Sequence, residues 1–285
     1  MEPEQIVERV WPGRPVTIEP LGGGITNHNF RVDVGDETFV LRIGGQDTQL
    51  LGIERFAEHA ASLVAAELEL APEVVTFLEP EGYLVTRYVD GVVEKVDVAQ
   101  VGAALRRLHD GPPIPSRFDS FRVVEAYCAI AAERGVAIPS LYGWAAEIAQ
   151  RIEQHRRGEP LRPCHDDLLN ANFIAEGDRL WIVDWEYAGM GDPFFDLGNF
   201  AVNHGLDAEG ERLLLESYGS GDLEALILMR FMSDFREAMW GVVQQAISEL
   251  DFDFAEYAQR HFDRLERTAA APRFRAALRT LEETG

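Results

Sequence analysis

Residues 164–172 read Cys-His-Asp-Asp-Leu-Leu-Asn-Ala-Asn, and residues 182–187 read Ile-Val-Asp-Trp-Glu-Tyr. Two short apolar segments, 172–175 and 180–183, flank the turn-forming residues Glu-Gly-Asp-Arg, and this pattern predicts a β-hairpin. Because the ends of two paired strands lie side by side, we expect the polar residues before the first strand and after the second to converge on one point.

The converging side chains all carry oxygen atoms: Asp167, Asn172, Asp184 and Glu186. Oxygen ligands suit Mg²⁺, which commonly takes one or two carboxylates and completes its shell with water and phosphate oxygens. Any one of these residues could equally form a turn or a helix cap, but the four at this spacing predict a magnesium site. His165 would suit a softer metal, yet the sequence offers no second His or Cys at a suitable spacing.

The chain is rich in β-type segments up to residue 89 and mainly helical from residue 90. A hairpin is predicted at 29–34 and 38–43, a helix at 51–68, and two further strands at 74–78 and 83–89. The clearest later helices are 98–109, 123–134 and 141–156, and helices are predicted again from about residue 208 to the end. The sequence therefore predicts an α+β fold of two lobes, residues 1–89 and 90–285, with the active site in the crevice between them.

The 285-residue chain is acidic, with 49 Asp and Glu against 26 Lys and Arg and a formal charge of −23. Such a surface repels the phosphates of nucleic acids and of anionic lipids, so we expect no nucleic-acid partner. The first residues lack the features of a signal peptide, and no run of about 18 apolar residues is present, so we expect no membrane insertion. Cys128 and Cys164 are too few for a disulfide framework, which favours a cytoplasmic protein.

A glycine-rich stretch, Leu-Gly-Gly-Gly-Ile-Thr-Asn at residues 21–27, precedes the first predicted hairpin. Its backbone could pass close to nucleotide phosphates at Gly24, and Thr26 and Asn27 add hydrogen-bonding groups. The same composition also fits a simple turn. It is not a Walker A loop, because no Gly-Lys-Ser/Thr follows.

The order of these parts is that of phosphoryl transfer on a protein-kinase-like scaffold. The chain is similar in this respect to the aminoglycoside phosphotransferase superfamily, and within it the sequence resembles the choline/ethanolamine kinase family. Protein kinases proper are disfavoured, because the sequence has no Asp-Phe-Gly and no substrate-sized activation segment. The segments that carry the resemblance are 23–30, 40–43, 165–172, 182–187, 192–199, 240–248 and 253–263.

The resemblance implies an ATP-dependent kinase that phosphorylates choline, ethanolamine or a related amino alcohol. Asp167 would then be the catalytic residue that orients and deprotonates the hydroxyl. Asn172 and Asp184 would carry Mg²⁺ between the β- and γ-phosphates, and Glu186 would hold a second ion. The resemblance also implies that His165 and Asp196 brace the catalytic loop.

The resemblance places the nucleotide in the N-terminal lobe. Arg42 would contact the phosphates and would be steadied by an acidic residue of the following helix, for which Glu58 is favoured over Glu54. The backbone of the linker Thr86–Tyr88 would meet the adenine. Whether ATP or GTP is preferred, and whether the chain forms a homodimer, stays open.

The resemblance places the acceptor among Tyr187, Trp240 and Tyr257, since a quaternary ammonium is held by aromatic faces and nearby carboxylates. This sequence departs from the family in having Glu237 where eukaryotic choline kinases have a second Trp, and Asn203 near where they use a Glu. A carboxylate in place of an aromatic would suit a primary ammonium as well as a quaternary one.

Two alternatives stay open at this point. The first is a phosphotransferase for an aminoglycoside or another metabolite on the same fold. The second is a nucleotide-binding pseudokinase without turnover. Against the latter stand Asp167, Asn172 and Asp184, because a protein that only binds nucleotide has no need of an Asp facing the acceptor hydroxyl.

Overall fold

A computed structural model describes residues 2–22, 27–45, 48–93, 96–248 and 250–284, the last four by their backbone only. Its strands are β1 Thr17–Leu21, β2 Asn27–Val34, β3 Glu37–Gly44, β4 Val74–Leu78, β5 Tyr83–Arg87, β6 Arg162–Cys164, β7 Phe173–Glu176, β8 Arg179–Ile182 and β9 Gly189–Gly191. Its α-helices are α1 Pro3–Val10, α2 Arg55–Glu67, α3 Val98–His109, α4 Ser120–Glu133, α5 Leu141–Arg156, α6 Pro193–Asn203, α7 Ala208–Tyr218, α8 Leu223–Ile247, α9 Phe254–Ala270 and α10 Pro272–Thr284. Short 3₁₀ turns occupy Thr48–Leu51 and Asn170–Asn172. Over these described ranges, no helix combines the length and apolar character needed to cross a bilayer.

The chain divides into two compact units. Unit 1 consists of Met1–Glu94 with Ala171–Tyr187, and unit 2 of Lys95–Asn170 with Ala188–Gly285. The predicted lobes, residues 1–89 and 90–285, place the β7–β8 hairpin in the second lobe. In the structure this hairpin belongs to unit 1. The physical reason is backbone pairing, because β7 bridges to Val92 through Ala175 and the N–H of Ile182 donates to the carbonyl of Leu70 at 2.7 Å.

Unit 1 is built on a five-stranded antiparallel sheet with the strand order β1-β2-β3-β5-β4. The predicted hairpin is present as β2 and β3, and it turns at Gly35, whose φ of +65° suits glycine. Alternate residues of β2 and β3 point to one face and form a core with helix α1, as expected for a half-buried sheet. The buried members of this core are Ile6, Val7, Trp11, Val32, Val34, Phe39, Leu41 and Val85.

Unit 2 is mainly helical and is organised around α8. This 25-residue helix is buried over most of its length, and α4, α6 and α9 pack against it. Most of its side chains are buried because the helix lies inside the unit, and the buried ones include the charged residues Asp234, Arg236 and Glu237. The predicted α+β architecture, with a β-rich N-terminal part and a helical C-terminal part, is confirmed.

Helix α6 is not predicted from the sequence, in which helices are expected to resume only at about residue 208. The helix begins at Pro193, and the carboxylate of Asp192 caps it by accepting from the N–H of Phe194 at 2.9 Å. Nearly every side chain of α6 is buried. A helix without an exposed face lacks the charged, solvent-facing side that marks a surface helix in the sequence, which is why the sequence does not predict it.

The crossing of α6 and α8 depends on a glycine. A Cβ atom at Gly198 would lie 2.6 Å from the carbonyl carbon of Met229 and 2.7 Å from the nitrogen of Arg230, and both are backbone atoms that cannot turn away. We expect Gly198→Ala to destabilise the protein by about 1–3 kcal/mol, with a fall in Tm of about 2–4 °C for each kcal/mol. Thermal unfolding followed by circular dichroism measures this.

A second helical glycine provides the matched control. A Cβ atom at Gly143, in α5, meets no atom within 4 Å. Gly143→Ala has the same gain in helix propensity, up to about 1 kcal/mol, without a clash. We expect an unchanged or higher Tm for it. Equal Tm values for the two variants would contradict the close packing at Gly198.

Candidate active site

The predicted site residues fall into two sets, one in each unit. Unit 1 contains the residues assigned to metal and nucleotide, together with Tyr187. Unit 2 contains Asp167 and the remaining acceptor residues, Asn203, Glu237, Trp240 and Tyr257. Gly24 and Thr26, predicted to contact the nucleotide, lie outside the described residues.

The β7–β8 hairpin positions Asn172 and Asp184 as its two polar ends. Phe173 pairs with Ile182, and one step further out the N–H of Val183 donates to the carbonyl of Asn172 at 2.9 Å. Asn172 is buried, and Asp184 follows Val183 with a φ of +69°. A left-handed conformation at an Asp is uncommon and is typical of functional sites. The hairpin predicted from the sequence therefore brings its two end residues together.

Arg42 of β3 connects this hairpin end to helix α2. Its Nη1 atom lies 2.6 Å from a carboxylate oxygen of Glu58 and 2.6 Å from one of Asp184. Burial lowers the pKa of Arg42, but the negative charges of Asp184 and Glu58 outweigh burial and raise it, so the guanidinium stays charged. Glu58 is buried whereas Glu54 is exposed, which places Glu58 as the acidic partner.

Arg55 is a second cation in this cluster. Its Nη1 atom lies 2.6 Å from Glu58 and 3.4 Å from Oε2 of Glu186. The amide of Asn27 also donates to Oε2 of Glu186 at 2.8 Å. Arg55 packs tightly, because a Cβ atom at Gly44 would lie 2.7 Å from its guanidinium nitrogen. The cluster thus interleaves two arginines with three carboxylates.

The donor set of unit 1 fits a hard divalent cation. The amide of Asn172 and the carboxylates of Asp184 and Glu186 are oxygen donors of the kind that Mg²⁺ prefers. These three residues could therefore hold magnesium.

A groove of about 790 Å³, counting its open mouth, adjoins the charged cluster within unit 1. Its walls are largely apolar, and the mutually contacting residues Arg42, Glu58 and Asp184 form the charged part of the lining. The segment Thr86–Val89, which contains the predicted linker, forms part of the lining. The apolar walls are Val40, Ala71, Pro72, Leu84, Val89, Ile174, Val183 and Trp185. Such a groove suits a ligand that has a flat apolar ring system for the apolar walls and phosphate groups for the charged part.

In unit 2, the loop that carries Asp167 is held by side chains of α6. The carboxylate of Asp196 accepts from the backbone N–H groups of His165 at 2.8 Å and of Asp166 at 2.7 Å. Asn199 accepts from the N–H of Leu168, and the amide of Asn203 donates to the carbonyl of the same residue at 3.3 Å. The structure thus places Asn203, predicted to contact substrate, against the backbone next to Asp167.

The loop anchor extends to helix α3. Nε2 of His109 lies 3.1 Å from the carboxylate of Asp196, and Nδ1 lies 2.9 Å from the hydroxyl of Tyr218. His109 and Asp196 are both fully buried. Asp196 is predicted from the sequence, whereas His109 is not. The signal available for His109 is its position at the end of the apolar face of α3.

We expect Asp196→Asn to reduce both stability and turnover. An amide keeps one acceptor oxygen but turns its NH₂ group toward a buried backbone N–H, and an unsatisfied buried donor costs about 1–3 kcal/mol. The measurements are Tm and kcat. Asp97→Asn is the matched control, since the exposed Asp97 caps α3 through one N–H at 2.8 Å and Asn caps equally well. Wild-type kcat in Asp196→Asn would contradict the anchoring role.

Asp166 lies beside Asp167 but differs from it electrostatically. Burial, followed by the neighbouring Asp196, raises the pKa of Asp166 well above its ordinary value. The neutral, protonated form is therefore favoured. Its φ of +67° is one that Asp and Asn adopt more readily than most residues. Asp166 is thus less readily ionised than an exposed aspartate.

A buried chain of polar contacts connects Asp167 to the predicted acceptor residues. Nη1 of Arg236 lies 3.2 Å from Oδ1 of Asp167 and also donates to Oε1 of Glu237. The hydroxyl of Tyr257 donates to Oε2 of Glu237 at 2.6 Å, and the rings of Trp240 and Tyr257 meet edge to face at 5.5 Å. The structure therefore brings Asp167, Glu237, Trp240 and Tyr257 together in unit 2.

The electrostatics of this chain favour an ionised Glu237. Burial raises the pKa of Glu237, but the charge of Arg236, with His261 and the Tyr257 hydroxyl, outweighs burial and lowers it. Burial and the carboxylate of Glu237 raise the pKa of Tyr257 well above its ordinary value, so Tyr257 remains a hydrogen-bond donor. Arg236 is not predicted from the sequence. Its signal there is an arginine next to Glu237 in a helix that is otherwise rich in apolar residues.

Comparison with known proteins agrees with this geometry. The model of the phosphotransferase enzyme family (APH) matches residues 17–235. A crystal structure of a choline/ethanolamine kinase family protein from Mesorhizobium loti superposes with a TM-score of 0.82 at 29% identity and covers 98% of both chains. Protein LicA of Haemophilus influenzae is 27% identical over 85% of this chain and 76% of its own. Thiamine kinase of Shigella boydii is 25% identical over 76% of each chain.

These findings confirm the predicted kinase-like, two-lobed fold and the resemblance to choline and ethanolamine kinases. The family match covers both the sheet of unit 1 and the Asp167 loop of unit 2. The protein therefore belongs to the phosphotransferase enzyme family, as a kinase.

Proposed function

We propose that the protein transfers the γ-phosphate of ATP to the hydroxyl of a small cationic amino alcohol, with choline and ethanolamine as the first candidates. The observation that carries the proposal is the arrangement around Asp167. A buried carboxylate, Glu237, and the rings of Trp240 and Tyr257 lie on the same chain of contacts as this residue. Aromatic faces and a carboxylate are the groups that hold an ammonium ion.

In this reaction Asp167 binds the acceptor hydroxyl and orients the hydroxyl oxygen toward the γ-phosphorus of ATP. An alcohol is far less acidic than a carboxylic acid, so orientation matters more than basicity. The proton moves to the carboxylate late, as the new O–P bond forms and the bond to ADP breaks. The product is a phosphate monoester of the alcohol.

Unit 1 supplies the nucleotide site. The apolar groove takes the adenine next to the backbone of Thr86–Val89, and Arg42 contacts the phosphates at its charged end. Asn172, Asp184 and Glu186 would hold one or two Mg²⁺ ions, which neutralise the charge on the β- and γ-phosphates. Glu58 keeps Arg42 in place through the ion pair described above.

The test is ADP release with Mg²⁺ across choline, ethanolamine, the methylated ethanolamines, thiamine and several aminoglycosides, with ATP and GTP in parallel. Thiamine is included because a thiamine kinase is among the relatives and because thiamine is also a cation with a primary alcohol. We expect saturable turnover of an amino alcohol with a KM of about 1 µM to 1 mM. Ethyltrimethylammonium, which has the cation but no hydroxyl, should inhibit without consuming ATP.

The outcomes separate the candidate functions. Turnover of an aminoglycoside alone would replace the proposed acceptor with the first alternative. Tight ATP binding with no turnover of any acceptor would support the pseudokinase. In either case the proposal that unit 1 binds the nucleotide would stand, because ATP binding is measured independently of the acceptor.

A further inference from the structure

Arg236 is the most deeply buried guanidinium among the described ion pairs, with 2% of its side chain exposed. It lies on α8, whose neighbouring residues are almost all buried. A buried cation is costly unless carboxylates surround it. The Nη1 atom of Arg236 contacts Glu237 on its own helix and Asp167 on the catalytic loop.

A purely structural ion pair would not need both carboxylates. Glu237 is the adjacent residue and neutralises the guanidinium by itself. The contact of Arg236 with Asp167 joins two residues that lie 69 positions apart in the sequence. Asp167 is the residue proposed to bind the acceptor hydroxyl. Because the contact is made to Oδ1, it fixes the rotation of the Asp167 carboxylate and so sets the direction of its second oxygen.

We propose that Arg236 is a positioning residue that holds the carboxylate of Asp167 in its reactive orientation, and that Glu237 and Tyr257 in turn hold Arg236. This inference rests on the proposed function, in which Asp167 binds the acceptor hydroxyl. It also assigns Glu237 a role besides contact with the substrate, since each of its oxygens accepts a hydrogen bond from Arg236 or Tyr257. The acceptor site and the catalytic carboxylate are thus joined through one guanidinium.

The test uses Arg236→Met and the double variant Arg236→Met/Glu237→Gln. The single variant leaves the buried carboxylate of Glu237 without its cation, which could destabilise the fold. The double variant avoids this because it removes both charges of the adjacent pair. We expect kcat to fall on the order of 100-fold in both variants, the cost of a misplacement of about 1 Å. The Kd of ATP should stay within about twofold, because the nucleotide site lies in unit 1.

Chemical rescue distinguishes positioning from general damage to the fold. In Arg236→Ala the missing guanidinium leaves a space, and we expect added guanidinium chloride at millimolar concentration to raise kcat about tenfold. Arg230→Met is the matched control, since Arg230 also lies on α8 and pairs with the buried carboxylate of Glu211. This control should lower Tm without changing kcat.

Three results would overturn the inference. The first is wild-type kcat in the folded double variant. The second is a rise in the KM of the acceptor with kcat unchanged, which would assign Arg236 to the acceptor pocket instead. The third is an equal loss of kcat in Arg230→Met. Failure of the proposed function looks different, because the wild-type protein itself would then turn over no amino alcohol.

Discussion

Replacing Asp167 by Asn is expected to abolish turnover while leaving nucleotide binding intact. The amide is nearly isosteric, but it cannot accept the proton of the acceptor hydroxyl, and its NH₂ group would face either that hydroxyl or Arg236. Loss of a positioned acid–base group costs about 10²–10⁴-fold in rate. The measurements are kcat with the preferred acceptor and the Kd of ATP by calorimetry.

Asp166 provides a neighbouring control. The raised pKa of Asp166 favours its neutral form, and its left-handed φ suits Asn as well as Asp. Asp166→Asn should therefore keep most of the wild-type kcat, although it makes the same chemical change one residue away. If Asp167→Asn kept wild-type turnover, the carboxylate would not be the group that handles the hydroxyl.

The local parts of the site could be predicted from the sequence because each depends on short-range structure. The β7–β8 hairpin has two short apolar segments on either side of a turn that contains Gly and Asp, so its polar ends are expected to meet. Helices α3 and α5 have the predicted bounds, because their exposed and buried faces alternate with a helical period.

The missed elements are those whose structure depends on distant partners. Helix α1 and strand β1 are short and gain their stability from the rest of the sheet. Helix α6 lacks an exposed face because it is enclosed within unit 2. The placement of residues 171–187 in unit 1 follows from backbone pairing with Val92 and Leu70, which no local pattern reports.

The same distinction applies to the charged residues. The resemblance to the kinase family favours Glu58 over Glu54 as the partner of Arg42, and Glu58 does contact Arg42. Arg236 was not predicted, since an arginine in a helix is normally solvated and its contact with Asp167 spans 69 residues. Burial of a cation can be recognised only when the tertiary partners are known.

Replacing Asp184 by Ala is expected to remove the dependence of nucleotide binding on Mg²⁺. In the wild-type protein, magnesium should strengthen ATP binding by at least about tenfold, which corresponds to about 1.4 kcal/mol. Asp184→Ala removes one of the three proposed ligands and also releases Arg42 from an ion pair at 2.6 Å. Arg42 then remains free to contact the phosphates, so metal-free ATP binding should be no weaker than in the wild type.

Calorimetry with ATP in the presence of Mg²⁺ and in the presence of a chelator measures both quantities. For Asp184→Ala we expect the two affinities to agree within about twofold, a difference of under 0.5 kcal/mol. Asp178→Ala is the matched control, because Asp178 lies in the exposed turn at the far end of the same hairpin and the variant loses the same charge. Its metal dependence should equal that of the wild type. If Mg²⁺ strengthened ATP binding to Asp184→Ala as much as to the wild type, Asp184 would not be a metal ligand. The left-handed backbone at Asp184 would then serve the ion pair with Arg42 instead.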